Sequence, residues 1–147
     1  MTAQLGIDCK AYYNLGTYES PNWSEIRYIR DATLNQAVAE VDVTSRFAQG
    51  SKEYIQGLFD YGFEFDMRWK PANAAFSALR SAFHGKTPVE LMILDGPVDS
   101  AGSQGLRGTF AVFNFSRAEQ MEEGVVVNVT MKPTEADNPP AWVTMSA

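Results

Sequence analysis

Ten residues, Tyr61 to Lys70, constrain the fold more than any others. Tyr61, Phe63, Phe65, Met67 and Trp69 alternate with Gly62, Glu64, Asp66, Arg68 and Lys70. A period of two places the two sets on opposite faces of a β-strand. Five large apolar side chains on one face need a core to cover them, while the charged face stays wet. The stretch before this strand, Ser45 to Asp60, is largely polar, carries Gly50 and Gly57, and reads as a loop. Hairpin loops usually run about 2–5 residues, so a loop this long asks for a purpose. Binding a neighbour is a common one.

Other segments repeat the strand pattern more weakly. Leu5 to Tyr13 reads as a strand, followed by a turn around Gly16, Pro21 and Asn22. Trp23 to about Leu34 reads as a second, with imperfect alternation at Ile26, Tyr28 and Ile29 that suggests a bulge. Val38 to Thr44 is a third, with Val41 and Val43 on one face and Glu40, Asp42 and Thr44 on the other. Pro71 to His84 has helical spacing in Phe76, Leu79 and Phe83. Pro71 suits the first turn, Gly85 suits the left-handed cap, and Pro88 blocks continuation.

Val89 to Leu94 is a short apolar strand, and Asp95 to Gly105 a Gly/Ser-rich loop. Leu106 to Ser116 places Phe110, Val112 and Asn114 on one face and Ala111, Phe113 and Phe115 on the other. Both faces are largely apolar, which predicts burial on both sides. After the polar connection RAEQMEEG, Gly124 to Lys132 turns Val125, Val127, Val129 and Met131 inward. Residues 133–147 hold three prolines and read as an extended arm, with Trp142 and Val143 as its anchor. The sum is mainly β: an antiparallel sandwich or half-barrel of about seven strands with one flanking helix at about residues 71–84. A length of 147 residues favours a single domain, 1–147, with the long loop at about 45–60 and the arm at about 133–147.

Composition removes several function classes. Eighteen acids against 12 bases give a formal charge of −6, and no basic cluster occurs. A protein that clings to nucleic acid neutralises phosphates with Lys and Arg. The one histidine, His84, and the one cysteine, Cys9, lie far apart in the chain, which offers neither a metal cluster nor a disulfide. No GxSxG, P-loop or GxGxxG is present. Glu40/Asp42 and Glu64/Asp66 are spaced like a pair of glycosidase carboxylates. Acids two apart on the wet face of a strand are far more often solvated surface. The sequence therefore points to a protein that is not an enzyme and needs no cofactor. No apolar run approaches the ~20 residues of a membrane span, and MTAQLGIDCK lacks the basic and apolar regions of a secretory signal.

These parts, in this order, resemble the major tail tube proteins of long-tailed (tailed double-stranded DNA) bacteriophages, and more distantly the tube proteins of contractile injection systems. The likeness runs from DVTS at Asp42–Ser45, through the polar loop and FEFDMRW, to a helix, a strand and a Gly/Ser-rich loop. It closes with GTFAVFNFSRAEQMEEGVVVNVTMKPT and a proline-rich tail, and the DVTS element and the strand pair Leu106 to Lys132 carry most of it. The resemblance implies hexameric rings stacked into a tube in the virion tail, made in the host cytoplasm. DNA would transit the lumen during ejection without specific binding.

On that footing Glu40, Asp42, Glu64 and Asp66 are candidate lumen-facing residues. Phe47, Lys52, Tyr54, Ile55, Leu58 and Phe59 are candidates for a loop that reaches the adjacent ring, and Trp142 and Val143 for an arm anchor. The implied partners are copies of the chain itself, a tape measure, a terminator, and a baseplate or tip, with no membrane. The alternatives are a monomeric β-sandwich binding module, such as an adhesin or carbohydrate-binding domain, or another tail part such as a terminator or tube initiator.

Overall fold

The computed structural model describes residues 5–119, 121 and 124–146. Eight strands and one helix follow in chain order: β1 (Lys10–Asn14), β2 (Trp23–Glu25), β3 (Ile29–Asp42), β4 (Tyr54–Arg68), α1 (Ala74–Gly85), β5 (Val89–Leu94), β6 (Gln104–Ala118), β7 (Val126–Pro133) and β8 (Ala141–Thr144). Short 3-10 turns span Gly6–Asp8 and Arg46–Ala48. All pairings are antiparallel and belong to one sheet, ordered β2-β1-β5-β6-β7-β4-β3, with β8 added beside the start of β6. The sheet curls without closing into a barrel, because no pairing joins β2 to β3.

The alternation in β4 does what it predicts. Phe63, Phe65 and Met67 are 1–2% exposed and join Val127, Val129 and Met131 of β7 in the main core. Each fully buried side chain of this size contributes roughly 1.5–3 kcal/mol. Helix α1 covers the same face with Phe76, Leu79, Ala75 and Ala82. Phe76 meets Trp69 and Phe115 edge-on, at 4.9 and 5.6 Å between ring centroids. A second, smaller cluster of Tyr12, Met92 and Leu94 lies on the other side of β1 and β5.

Several expectations shift. The helix begins at Ala74, not Pro71, because Asn73 caps it: its Oδ1 accepts from Ala75 and Phe76 N–H at 3.1 and 3.2 Å. Gly85 is the last helical residue, and Lys86 takes the left-handed position at φ +55. Trp23–Leu34 and Val38–Thr44 are not two strands. A short β2 precedes one 14-residue strand, β3, whose middle is too polar to show its continuity in sequence. The first expected strand starts with a 3-10 turn and pairs only from Lys10.

β6 is not buried on both sides. Its pairing with β7 slips between Val112 and Asn114, so a bulge at Phe113 changes which side chains point inward. Phe110 and Val112 face the core before it and Phe115 after it, leaving Phe113 61% exposed. Residues 133–147 are not wholly an arm, since β8 pairs with β6. The expected connection RAEQMEEG lies partly outside the described residues.

Candidate assembly interface

β4 has two neighbours over only part of its length. It pairs with β7 from Phe63 to Arg68, and with β3 from Met67 down to Tyr54. Below Gly62 the pair β3–β4 is therefore a free two-stranded ribbon ending in the tip Val43–Glu53. Such a ribbon is marginal alone in water. The expected loop Ser45–Asp60 is thus a loop only in its first half. Tyr54, Ile55, Leu58 and Phe59 belong to a strand, while Phe47 and Lys52 lie in the tip. Gly57 and the adjacent apolar pairs Tyr54–Ile55 and Leu58–Phe59 break the period of two, which disguises the strand in sequence.

The ribbon exposes large apolar side chains: Phe47 is 91% exposed, Leu58 85%, Phe59 66% and Ile55 55%. Tyr54, Val41 and Val43 are exposed too. They lie on both faces. Between Val38↔Phe59 and Glu40↔Gln56, β3 advances two residues and β4 three, so β4 carries a bulge at Gly57–Leu58. Tyr54 then shares the face of Glu40 and Asp42, whereas Ile55 shares that of Val41. Gly57 allows the strands to approach: a Cβ there would lie 3.1 Å from Val41 Cγ2 and 3.3 Å from Ala39 Cβ.

The same register separates the four candidate lumen acids. Ala32 and Leu34 oppose Phe65 and Phe63 on the core side, and alternation along β3 carries Glu40 and Asp42 onto that side as well. Thr33 opposes Glu64 on the outer side, where Asp66 also lies. The four do not share a face, because the pattern of β3 cannot be aligned with that of β4 until its register is known. Around Asp66 the outer face carries a polar ladder. Asn128 Nδ2 donates to Asp66 Oδ1 at 2.8 Å, and Asn114 Nδ2 to Asn128 Oδ1 at 3.2 Å. Ser116 Oγ donates to Asn114 Oδ1 at 2.5 Å. Asp42 instead organises the tip. Hydrogen bonding from the Thr44 side chain, then from its N–H at 2.8 Å, holds the Asp42 carboxyl below its ordinary pKa.

Trp142 pairs with Leu106 and stays half exposed, with its Nε1 donating to Gln104 Oε1 at 3.1 Å. Val143 packs on the Tyr12, Met92 and Leu94 cluster. Three features had no sequence signal. A groove of about 740 Å³ runs along the open seam between β1–β2 and β3, over Ala11, Ile26, Ala32 and Phe63. A cleft of about 290 Å³ lies between Arg30, Arg68 and the start of β7. The third pins the turn after β1. Arg107 Nε meets Glu90 Oε1 at 2.5 Å, Glu90 Oε2 accepts from Asn14 Nδ2 at 3.0 Å, and the guanidinium lies 4.0 Å over the Tyr18 ring. Their partners are dozens of residues apart, so only the folded sheet assembles them.

Among the described residues no group of His, Cys, Asp and Glu could hold a metal. No helix is long and apolar enough to cross a membrane. No protein-family model and no curated protein matches the chain. Solved structures do. A chain of the virion of a native gene transfer agent particle superposes with TM-score 0.75 at 18% identity, covering 96% of this chain and 99% of that one. A chain of the tail of an empty gene transfer agent particle, refined with C6 symmetry, gives 0.74 at 20%, over 98% and 100%. The SPP1 tail tube gives 0.71 at 10%, over 99% and 80%. The chain has the fold of these proteins, from β1 to β8.

Proposed function

We propose that the chain is a structural protein of a phage-type virion tail, polymerising as stacked six-fold rings into the tube through which DNA is ejected. The supporting observation is the likeness, over nearly all of this chain, to chains of a gene transfer agent virion, of a tail refined with C6 symmetry and of a tail tube. The ribbon fits this role: its apolar residues stay exposed among the described residues and suit a neighbouring subunit. Ring closure would also cover the free outer edges of β2 and β3, which invite uncontrolled pairing in a lone subunit.

Glu64 and Asp66, with the Asn128–Asn114–Ser116 ladder, are the proposed lumen lining. Their carboxylates repel phosphate, and the amides beside Asp66 are already engaged with one another. Glu40 and Asp42 belong to the ribbon instead. Val143, seated on Tyr12, Met92 and Leu94, is the proposed anchor of the C-terminal segment, with Trp142 beside it offered to a neighbour. The remaining proposed partners are a tape measure, a terminator, and a baseplate or tip. The role is scaffolding rather than catalysis.

Negative-stain microscopy of the purified protein tests the reading. Six-fold rings or tubes are expected. Monomers that persist at high concentration and bind glycans would replace it with a binding module.

A further inference from the structure

The two ends of β4 differ in charge. At its Tyr54 end, the ribbon from Gln36 to Asp60 holds Glu40, Asp42, Glu53 and Asp60 against Arg46 and Lys52, a net 2 − 4 = −2. At the other end Arg68 joins Arg30 in the cleft completed by Gly124, Val125 and Val126. Both arginines are exposed, and neither belongs to an ion pair of the described residues, which join Lys10 to Glu25, Arg107 to Glu90 and Arg117 to Glu119. Among the described residues Glu40 and Asp42 join no ion pair either, and Asp42 accepts from Thr44.

β4 spans 15 residues, which at the usual rise separates its ends by about 45 Å. Charges are screened beyond about 8 Å at physiological salt, so the two ends cannot neutralise each other within one subunit. They can do so between copies placed head to tail. The ribbon face that carries the acids also offers Tyr54, directly opposite Asp42, and the cleft offers Val125 and Val126 beside its arginines. Charge and apolar surface are therefore matched together.

We infer that the Glu40/Asp42 face of the ribbon seats in the Arg30/Arg68 cleft of a second copy in the next ring. This rests on the tube reading above and adds to it the receiving surface. The ribbon's opposite face, with Val41 and Ile55, is left for another neighbour in the same stack.

Charge exchange tests the contact. Glu40→Lys and Arg68→Glu alter exposed strand positions, so circular dichroism and thermal melting of each monomer should match the unmodified chain. Each single variant is expected to lower the pelletable tube fraction by about tenfold or more, and the double variant to recover most of it. Single variants that assemble normally, or a double variant no better than the singles, overturn the contact while leaving the tube reading intact. Single variants that abolish six-fold rings, and not only their stacking, place the pair within a ring and overturn the inter-ring assignment. An unmodified chain that forms neither rings nor tubes overturns both readings.

Discussion

The upper and lower halves of β4 use similar residues to opposite ends. From Phe63 to Met67 the aromatic and apolar side chains are buried beside β7, in the core that α1 also joins. From Tyr54 to Phe59 equally large ones stand in solvent. Composition does not distinguish the halves. What distinguishes them is the third strand: pairing with β7 stops at Phe63, and below it no other strand of the described residues joins the ribbon. An apolar row in a sequence announces that something will cover it, and only the sheet topology says whether the cover belongs to the same molecule.

Substitutions can break this contrast, beginning with the largest effect. Phe65→Ala in the covered half should cost about 3–5 kcal/mol of monomer stability in urea denaturation. Asn73→Ala should cost about 1 kcal/mol by uncapping the helix that does the covering. A smaller loss there would mean that α1 is held by packing alone. Phe59→Ser, in the open half, should change monomer stability by no more than about 0.5 kcal/mol yet reduce tube formation in pelleting assays. If it destabilised the monomer as much as Phe65→Ala, the ribbon would be covered by its own chain and the contrast would be false.

The smallest effect belongs to pH. The folded Asp42 carboxyl titrates below its unfolded value, so its hydrogen bonds to Thr44 support the tip above about pH 4 and are lost as pH falls through the folded value. An NMR titration should show the Thr44 amide shifting in that acid range. Thr44→Ala should return the Asp42 titration towards the ordinary carboxylate range.

Much of this was written in local pattern. The period of two in Tyr61–Trp69 and in Val125–Met131 located two core strands, and the spacing of Phe76, Leu79 and Phe83 located the helix. The order of parts was enough to suggest the tail-tube fold. The failures have two causes. Register decides which residues of one strand share a face with those of the next: Ala32 opposes Phe65, so Glu40 and Asp42 fall on the core side and Glu64 and Asp66 on the other, although sequence alone groups all four. A single extra residue near Phe113 shifts the alternation of β6, which leaves Phe113 outside where the pattern expects it inside. The Arg30/Arg68 cleft was illegible for another reason: its residues meet only because the start of β3 lies beside the end of β4.

The register of the sheet also sets an order of events during synthesis. Tyr12 pairs with Met92, 92 − 12 = 80 residues later, whereas Asp42 pairs with Tyr54 after only 54 − 42 = 12. A nascent chain lengthens by about 5–20 residues per second, and short loops close far sooner than long ones. The strands of the ribbon, like β1 and β2, can therefore meet while β1 still waits for β5. The Arg30/Arg68 cleft, whose far wall is Gly124–Val126, is completed more than fifty residues after Arg68, so the proposed seat for the ribbon is among the last surfaces to exist.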